Sequence, residues 1–246
     1  MDAEHRENEV SQEVKSKPLG RRAYGSIGHL PQSRMGPGDH SVHAGQGEIC
    51  LTKTRDKHDL VIVQEKLDGS CVSVAKVDGV LHALGRAGWP AISSPYLQHR
   101  MFANWVMANY DRFDRLLQDG ERIVGEWLAQ AHGTRYALPH EPFVAFDLMR
   151  NDQRETYHIF LERIGNRFTM PRQLHCDFAA HPLDAMLEAI EDRSHHGALD
   201  PIEGAVWRIE RKGKVDFLAK YVRPEKIDGA YLPELSGLEP VWNWTA

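Results

Sequence analysis

Lys66 stands at the end of a β-branched run, Leu60-Val61-Ile62-Val63-Gln64-Glu65, and is followed at once by Leu67-Asp68-Gly69. A lysine at the end of a strand, on a tight Asp-Gly turn, holds its amine out toward whatever the neighbouring strands enclose. Unprotonated, that amine is a nucleophile, and burial or neighbouring cations favour the unprotonated form. Lys-x-Asp-Gly also occurs on ordinary surface turns, so its meaning depends on what accompanies it. Five further groups follow in order: Gly85-Arg86, Gly125-Glu126-Trp127, Phe143-Val144-Ala145-Phe146-Asp147, Glu203-Gly204-Ala205-Val206 and Leu218-Ala219-Lys220-Tyr221. Scattered Lys, Arg and Glu without a triad suit phosphoryl transfer, which relies on positioning and charge stabilisation.

The elements that must position these groups can be read from periodicity. The run ending at Lys66, the alternating segment Cys71–Val77, the Asp78-Gly79 turn and the return Val80–Arg86 predict a meander. Leu97, Met101, Trp105, Ala108 and Leu116 recur at helical spacing before Asp119-Gly120, which predicts one amphipathic helix between Tyr96 and Gln118. Arg122–Ala129 and Pro142–Met149 are short apolar segments, each with an acidic residue embedded. A second helix is expected across Leu183–Asp192. Ile202–Ile209, the turn Arg211-Lys212-Gly213-Lys214 and Val215–Val222 predict a second hairpin. Strands at both ends with helices between indicate an α+β fold on antiparallel sheets.

With 246 residues, 41% of them hydrophobic, the chain can bury a sizeable core without disulfides. Cys50, Cys71 and Cys176 form no Cys-x-x-Cys pair, the N-terminus MDAEHRENEV has no apolar leader, and no run is long enough to span a membrane. A reduced, cytoplasmic protein is expected. Residues 1–22 balance five acids against five bases and read as a flexible tail, leaving 23–246 as a single domain. Tyr24 to Gly47, rich in Gly, Pro, Ser and His, reads as ordered loop. The net charge of −5 excludes a protein that holds nucleic acid by overall charge. Residues 204–226 nevertheless hold seven basic and three acidic side chains. Arg211, Lys212 and Lys214 are thus candidates for a polyanion-binding strip next to the site.

In order and spacing, the six groups resemble the motif series of the covalent nucleotidyltransferase superfamily: ATP-dependent DNA and RNA ligases and mRNA capping enzymes. The resemblance runs from Gln64 to Lys226. The twenty-residue step from Lys66 to Arg86 is most similar to the ATP-dependent RNA ligases of the T4 RNA ligase 2 branch. It implies a nucleotidyltransferase (ligase adenylation domain) fold, with antiparallel sheets flanked by helices and the nucleotide between them. It also implies an RNA repair activity. Lys66 would take AMP from ATP, pass it to a 5′-phosphate end, and a 3′-OH would then seal the strand.

By the same resemblance, Glu126 lies near the ribose hydroxyls and Phe146 stacks on the adenine with Asp147 beside it, while Phe143 belongs to the core. Glu203 binds Mg²⁺ or Mn²⁺, Lys220 contacts the α-phosphate, and Arg86, Lys220 and the metal together favour the neutral Lys66 amine. Asp68 and Gly69 complete the nucleotide-binding turn, and Gln64 and Glu65 meet the adenine edge. Related RNA ligases often carry Lys-x-Lys in the last motif; here the first position is Leu218, so either Lys220 suffices or Lys214 or Arg223 reaches in.

His29-Leu30-Pro31 and Ser33-Arg34 loosely resemble the N-terminal loop of bacterial and phage RNA ligase-like proteins. Arg34 would meet the leaving pyrophosphate or an RNA phosphate, or else form a surface salt bridge. The superfamily usually appends a further domain after the last motif; only about twenty residues follow Lys226, so the catalytic domain is expected to stand alone, either sealing slowly by itself or with a protein partner replacing that domain. His40, His43 and the pair His195-His196 invite a zinc reading but lack cysteine partners at metal spacing. Two alternatives stay open: a GTP-using capping-type guanylyltransferase, and a non-catalytic nucleotide- or RNA-binding module of the same fold.

Overall fold

A computed structural model describes residues 16–190 and 196–245. Most of the expected N-terminal tail lies outside the described residues. The strands are β1 (Gly28–His29), β2 (Asp59–Lys66), β3 (Ser70–Val77), β4 (Val80–Gly85), β5 (Glu121–Trp127), β6 (Phe143–Arg150), β7 (Gln153–Arg154), β8 (Gln173–Asp177), β9 (Gly204–Arg211) and β10 (Lys214–Val222). The helices are α1 (Ala44–Leu51), α2 (Leu97–Ala108), α3 (Tyr110–Asp114), α4 (Tyr157–Ile164), α5 (Leu183–Ile190) and α6 (Pro233–Ser236). Two five-stranded sheets have the orders β1-β10-β9-β2-β8 and β4-β3-β5-β6-β7. The fold is α+β, as expected. No helix among the described residues is long and apolar enough to cross a membrane.

The chain divides into two compact units. One comprises the chain up to Gly25, Ser70–Gly125 and Leu148–Asp152; the other comprises Ser26–Gly69, Glu126–Asp147 and Gln153–Ala246. In the first, β3 and β4 pair from Val72↔Gly85 to Val77↔Val80. The connecting Asp78 and Gly79 both have positive φ (50° and 76°), as a tight two-residue hairpin turn requires. The single helix expected between Tyr96 and Gln118 is instead two, α2 and α3. Asn109 (φ −110°, ψ 23°) breaks it, and its side-chain amide donates to the Trp105 carbonyl at 2.8 Å. Such local side-chain bonds compete with the helix. Trp105 and Phe113 then pack edge to face at 5.7 Å.

The second unit holds the sheet that carries Lys66. Val61 and Val63 of β2, Ala205, Trp207 and Ile209 of β9, and Ala219 and Tyr221 of β10 join Leu30, Cys50, Met186 and Ile190 in one core. Strand alternation turns the intervening residues, Gln64, Lys66, Val206 and Lys220 among them, to the opposite face. The segment Tyr24 to Gly47, expected as loop throughout, contains β1 and the start of α1. Its Gly45 and Gly47 disfavour helix, but docking Ile49 and Cys50 into the core overrides that preference. α4 and the polar edge strand β8 were not anticipated either. The second hairpin is present as β9 and β10, in continuous antiparallel register from Phe217↔Ile209 to Val222↔Gly204.

Candidate active site

Lys66 ends β2 opposite Gly204 of β9. A Cβ on Gly204 would lie 1.9 Å from the Tyr221 carbonyl oxygen, so only glycine lets the chain pass there with Glu203 immediately before it. The Lys66 amine donates to Glu203 Oε2 at 2.6 Å and to the Leu67 carbonyl at 3.3 Å. Burial disfavours the charged amine, but Glu203, Glu126 and Asp68 together outweigh it and raise the Lys66 pKa above the ordinary lysine range. The immediate partners of Lys66 are thus carboxylates, which hold its amine in the charged form. Burial in turn pushes Glu126 up to about 7, against the pull of Lys66, and pushes Glu203 upward as well.

The rest of the turn is locked from behind. Gly69 N–H donates to Glu126 Oε1 at 3.0 Å, and a Cβ on Gly69 would sit 2.5 Å from the Trp127 carbonyl oxygen. Asp68 Oδ2 is 2.6 Å from the buried Lys226 amine and accepts from Gly133 N–H at 2.8 Å. Asp68 N–H donates to the Tyr136 hydroxyl at 3.1 Å. Lys226 also donates to the Thr134 hydroxyl. Asp68 and Gly69, expected at the nucleotide, thus make contacts that hold the turn. Lys226, Gly133, Thr134 and Tyr136 were missed: they lie at least 64 residues from Asp68 in sequence, and no local pattern marks such partners.

The sheet face beside Lys66 is polar. Gln64, Val206 and Lys220 form one row across β2, β9 and β10. Gln64 is 7% exposed and, among the described residues, its amide nitrogen has no hydrogen-bond partner. Glu65, 2% exposed, alternates to the opposite face, which separates it from the neighbour it was paired with by sequence. Lys220 lies on β10 with its amine 3.4 Å from Asp39 Oδ1. Phe143 is in the core, edge to face with Phe168 at 5.6 Å, as anticipated. Phe146 is half-buried and shares its strand face with Val144, which packs with Leu67. Asp147 is fully buried and paired with Arg154 (2.9 Å) and Arg208 (3.1 Å), so its carboxylate is taken up by guanidinium groups. Arg86 belongs to the other unit, where its carbonyl accepts from Ala23 and Tyr24 N–H and its guanidinium donates to the Gly25 carbonyl at 3.3 Å.

A family model described as RNA ligase matches residues 59–222, well over half of the chain. The chain belongs to the RNA ligase family. Comparison with curated proteins gave no match. Among solved structures, a Naegleria gruberi RNA ligase mutant with ATP and Mn is 15% identical, with 92% of this chain and 63% of that chain covered and a TM-score of 0.58. A second mutant of the same ligase, without ligands, is 15% identical over 92% and 62%, with a TM-score of 0.55. At that identity the likeness is one of fold. The chain spans less than two thirds of the length of the solved structures it matches.

In this ligase-family chain the basic strip is not beside Lys66. Arg211 pairs with Asp59, seven strand residues from the Lys66↔Gly204 pair, which is about 23 Å at the usual rise. Arg211 is engaged by Asp56 and Asp59 at 2.7 and 2.8 Å, whereas Lys212 and Lys214 are exposed at the hairpin tip. The strip was misplaced because closeness in sequence ignored that β9 and β10 run away from the site. The same direction removes Lys214 as a substitute at the Leu218 position, and Arg223 is tied to Glu225 at 2.5 Å. Arg34 forms a salt bridge with Asp228 at 2.5 Å. His43 N–H donates to Gln46 at the start of α1, His196 bonds His140 at 2.8 Å, and His195 lies outside the described residues. Among the described residues no three His, Cys, Asp or Glu converge as a metal site.

Proposed function

We propose that this chain is the nucleotidyl-transfer part of an ATP-dependent RNA ligase, with Lys66 as its nucleophile. The observation that carries this reading is the Lys66 amine at the end of β2, 2.6 Å from Glu203 and on the same sheet face as Lys220. In the first step the Lys66 nitrogen attacks the α-phosphorus of ATP. A P–N bond forms, the bond from that phosphorus to the bridging oxygen breaks, pyrophosphate leaves and the amine gives up a proton. AMP then passes from Lys66 to the 5′-phosphate of an RNA end, and attack by a 3′-OH releases AMP and seals the strand.

Glu203 and Glu126 are hard oxygen donors beside the amine, and too few to cage a cation alone. They fit Mg²⁺ or Mn²⁺ that completes its shell with phosphate oxygens and water. When bound, such a cation would supply charge stabilisation on the transferring phosphate, and Glu203, engaged as its ligand, would press Lys66 less strongly into the charged form. Lys220 offers a point charge to the α-phosphate, and Phe146 an aromatic face and Gln64 a buried amide to the base. The structure of a family member with ATP and Mn supports the choice of nucleotide and cation.

The test is sealing of a panel of 5′-phosphorylated nicked and single-stranded RNAs with ATP and either cation. Sealed product that depends on ATP and on Lys66 is expected. Sealing that proceeds equally with Lys66→Ala would refute the assignment, as would a requirement for GTP.

A further inference from the structure

The segment from Gly28 to Val42 is strapped along β10. β1 runs parallel to β10 through Gly28↔Ala219 and His29↔Lys220. Leu30 N–H donates to the Lys220 carbonyl at 2.8 Å, and Arg34 N–H to the Val222 carbonyl at 2.9 Å. The far side of the strap closes on itself, with His29 N–H donating to the His40 carbonyl and Val42 N–H to the His29 carbonyl. The return is tight: a Cβ on Gly28 would lie 2.8 Å from Val42 Cγ1.

Inside the strap the polar side chains form a chain that ends on Lys220. Val222 N–H donates to Ser33 Oγ at 2.9 Å, and Ser33 Oγ lies 2.6 Å from Nδ1 of the fully buried His29. His29 Nε2 is 3.0 Å from Asp39 Oδ2, which also accepts from Gly36 N–H at 2.9 Å. The other Asp39 oxygen, Oδ1, is 3.4 Å from the Lys220 amine. Along the same face of β10 the next side chain is Leu218, so this strand brings a single cation to the Lys66 face. A lone lysine on a four-carbon stem has many rotamers, and ordering them costs conformational entropy. A carboxylate fixed by two other groups can do that ordering before substrate arrives.

We propose that Asp39, held by His29 and Gly36, is a positioning residue that fixes the Lys220 amine where it meets the α-phosphate of ATP. The role rests on the proposed nucleotidyl transfer, but the contact itself does not. Asp39 acts through Lys220 and touches no reacting atom.

Two measurements on the full chain decide it. In the first, the protein is treated with limiting acetic anhydride and acetylation is quantified by peptide mass spectrometry, with Lys214 as internal reference. Loss of the carboxylate favours the neutral amine, so Asp39→Asn is expected to raise Lys220 acetylation several-fold relative to Lys214. Unchanged reactivity would overturn the proposal whatever the chain's activity. In the second, the rate of labelling by radiolabelled ATP is measured. Asp39→Asn is expected to slow labelling at saturating ATP by about tenfold with little change in KM, as for an interaction made in the transition state. In a Lys220→Ala background the same change is expected to have no further effect. An equal loss in both backgrounds, or tighter ATP binding by Asp39→Asn, would overturn it, the latter by making Asp39 a competitor of phosphate. No label on the wild-type chain would refute the proposed function instead, and the acetylation result would still decide whether Asp39 holds Lys220.

Discussion

The two ends of the sheet formed by β2, β9 and β10 carry the same kinds of charge to different effect. At the Asp59 end, Arg55, Asp56, Asp59, Arg211 and Asp216 form a network of ion pairs, with Arg55 bonded to both Asp59 and Asp216 and Arg211 to Asp56 and Asp59. The Arg211 guanidinium, helped by the His58 N–H, holds Asp56 below the usual carboxylate range. At the Lys66 end, burial raises two carboxylates while they press a lysine into its charged form. The first arrangement is satisfied as it stands. The second is balanced against its own desolvation, and such a balance changes when a phosphate or cation arrives. A guanidinium partner, not burial alone, separates the two ends: Asp59 is fully buried, yet Arg55 and Arg211 hold its carboxyl low.

Substitutions should expose this contrast in descending size. Glu203→Ala is expected to lower ATP-dependent labelling of Lys66 by at least about a hundredfold, because the carboxylate proposed to hold the cation at the transferring phosphate is lost. Rate measurement over a range of Mn²⁺ would check it, and wild-type labelling would break the assignment of Glu203. Lys226→Met should cost about 3 kcal/mol, since it leaves the buried Asp68 carboxylate without its counter-charge. Urea denaturation gives that number directly.

Glu126 sharpens the comparison through pH. Its folded pKa of about 7 exceeds the ordinary 4.5, so its contribution to stability is fully present below about 4.5 and is lost as pH rises through about 7. Glu126→Gln should therefore stabilise the chain at pH 8 by at most about 3 kcal/mol and have no such effect at pH 4.5. Melting curves across that range would show it, and a gain that grows toward acid would have the wrong sign. The smallest effect is expected at the hairpin tip, where Lys212→Ala and Lys214→Ala should leave labelling at the wild-type level.

Much of the scaffold was legible because its signals are local. The β-branched run to Lys66, the Asp78-Gly79 turn and the hairpin around Lys212-Gly213 each declare themselves within a few residues. The break at Asn109 was not, because a side-chain bond to the Trp105 carbonyl decides it. β1 and α1 were hidden by glycine and proline, since their order comes from docking on β10 and the core rather than from propensity. Lys66, Glu126, Glu203 and Gly69 were found by their motif order. Lys226 and Asp39 were not, because their partners Asp68 and Lys220 lie more than a hundred residues away and leave no trace in either segment. The carboxylate neighbours of Lys66 are likewise brought together only by the folded sheet.

The central claim is that Lys66 carries the nucleotide. Incubation of the full chain with ATP and Mn²⁺, followed by peptide mass mapping, tests it most directly. AMP is expected on the peptide containing Lys66, absent with Lys66→Ala and removed by added pyrophosphate. AMP attached at another lysine, or no adduct with either cation while the chain binds ATP, would contradict it.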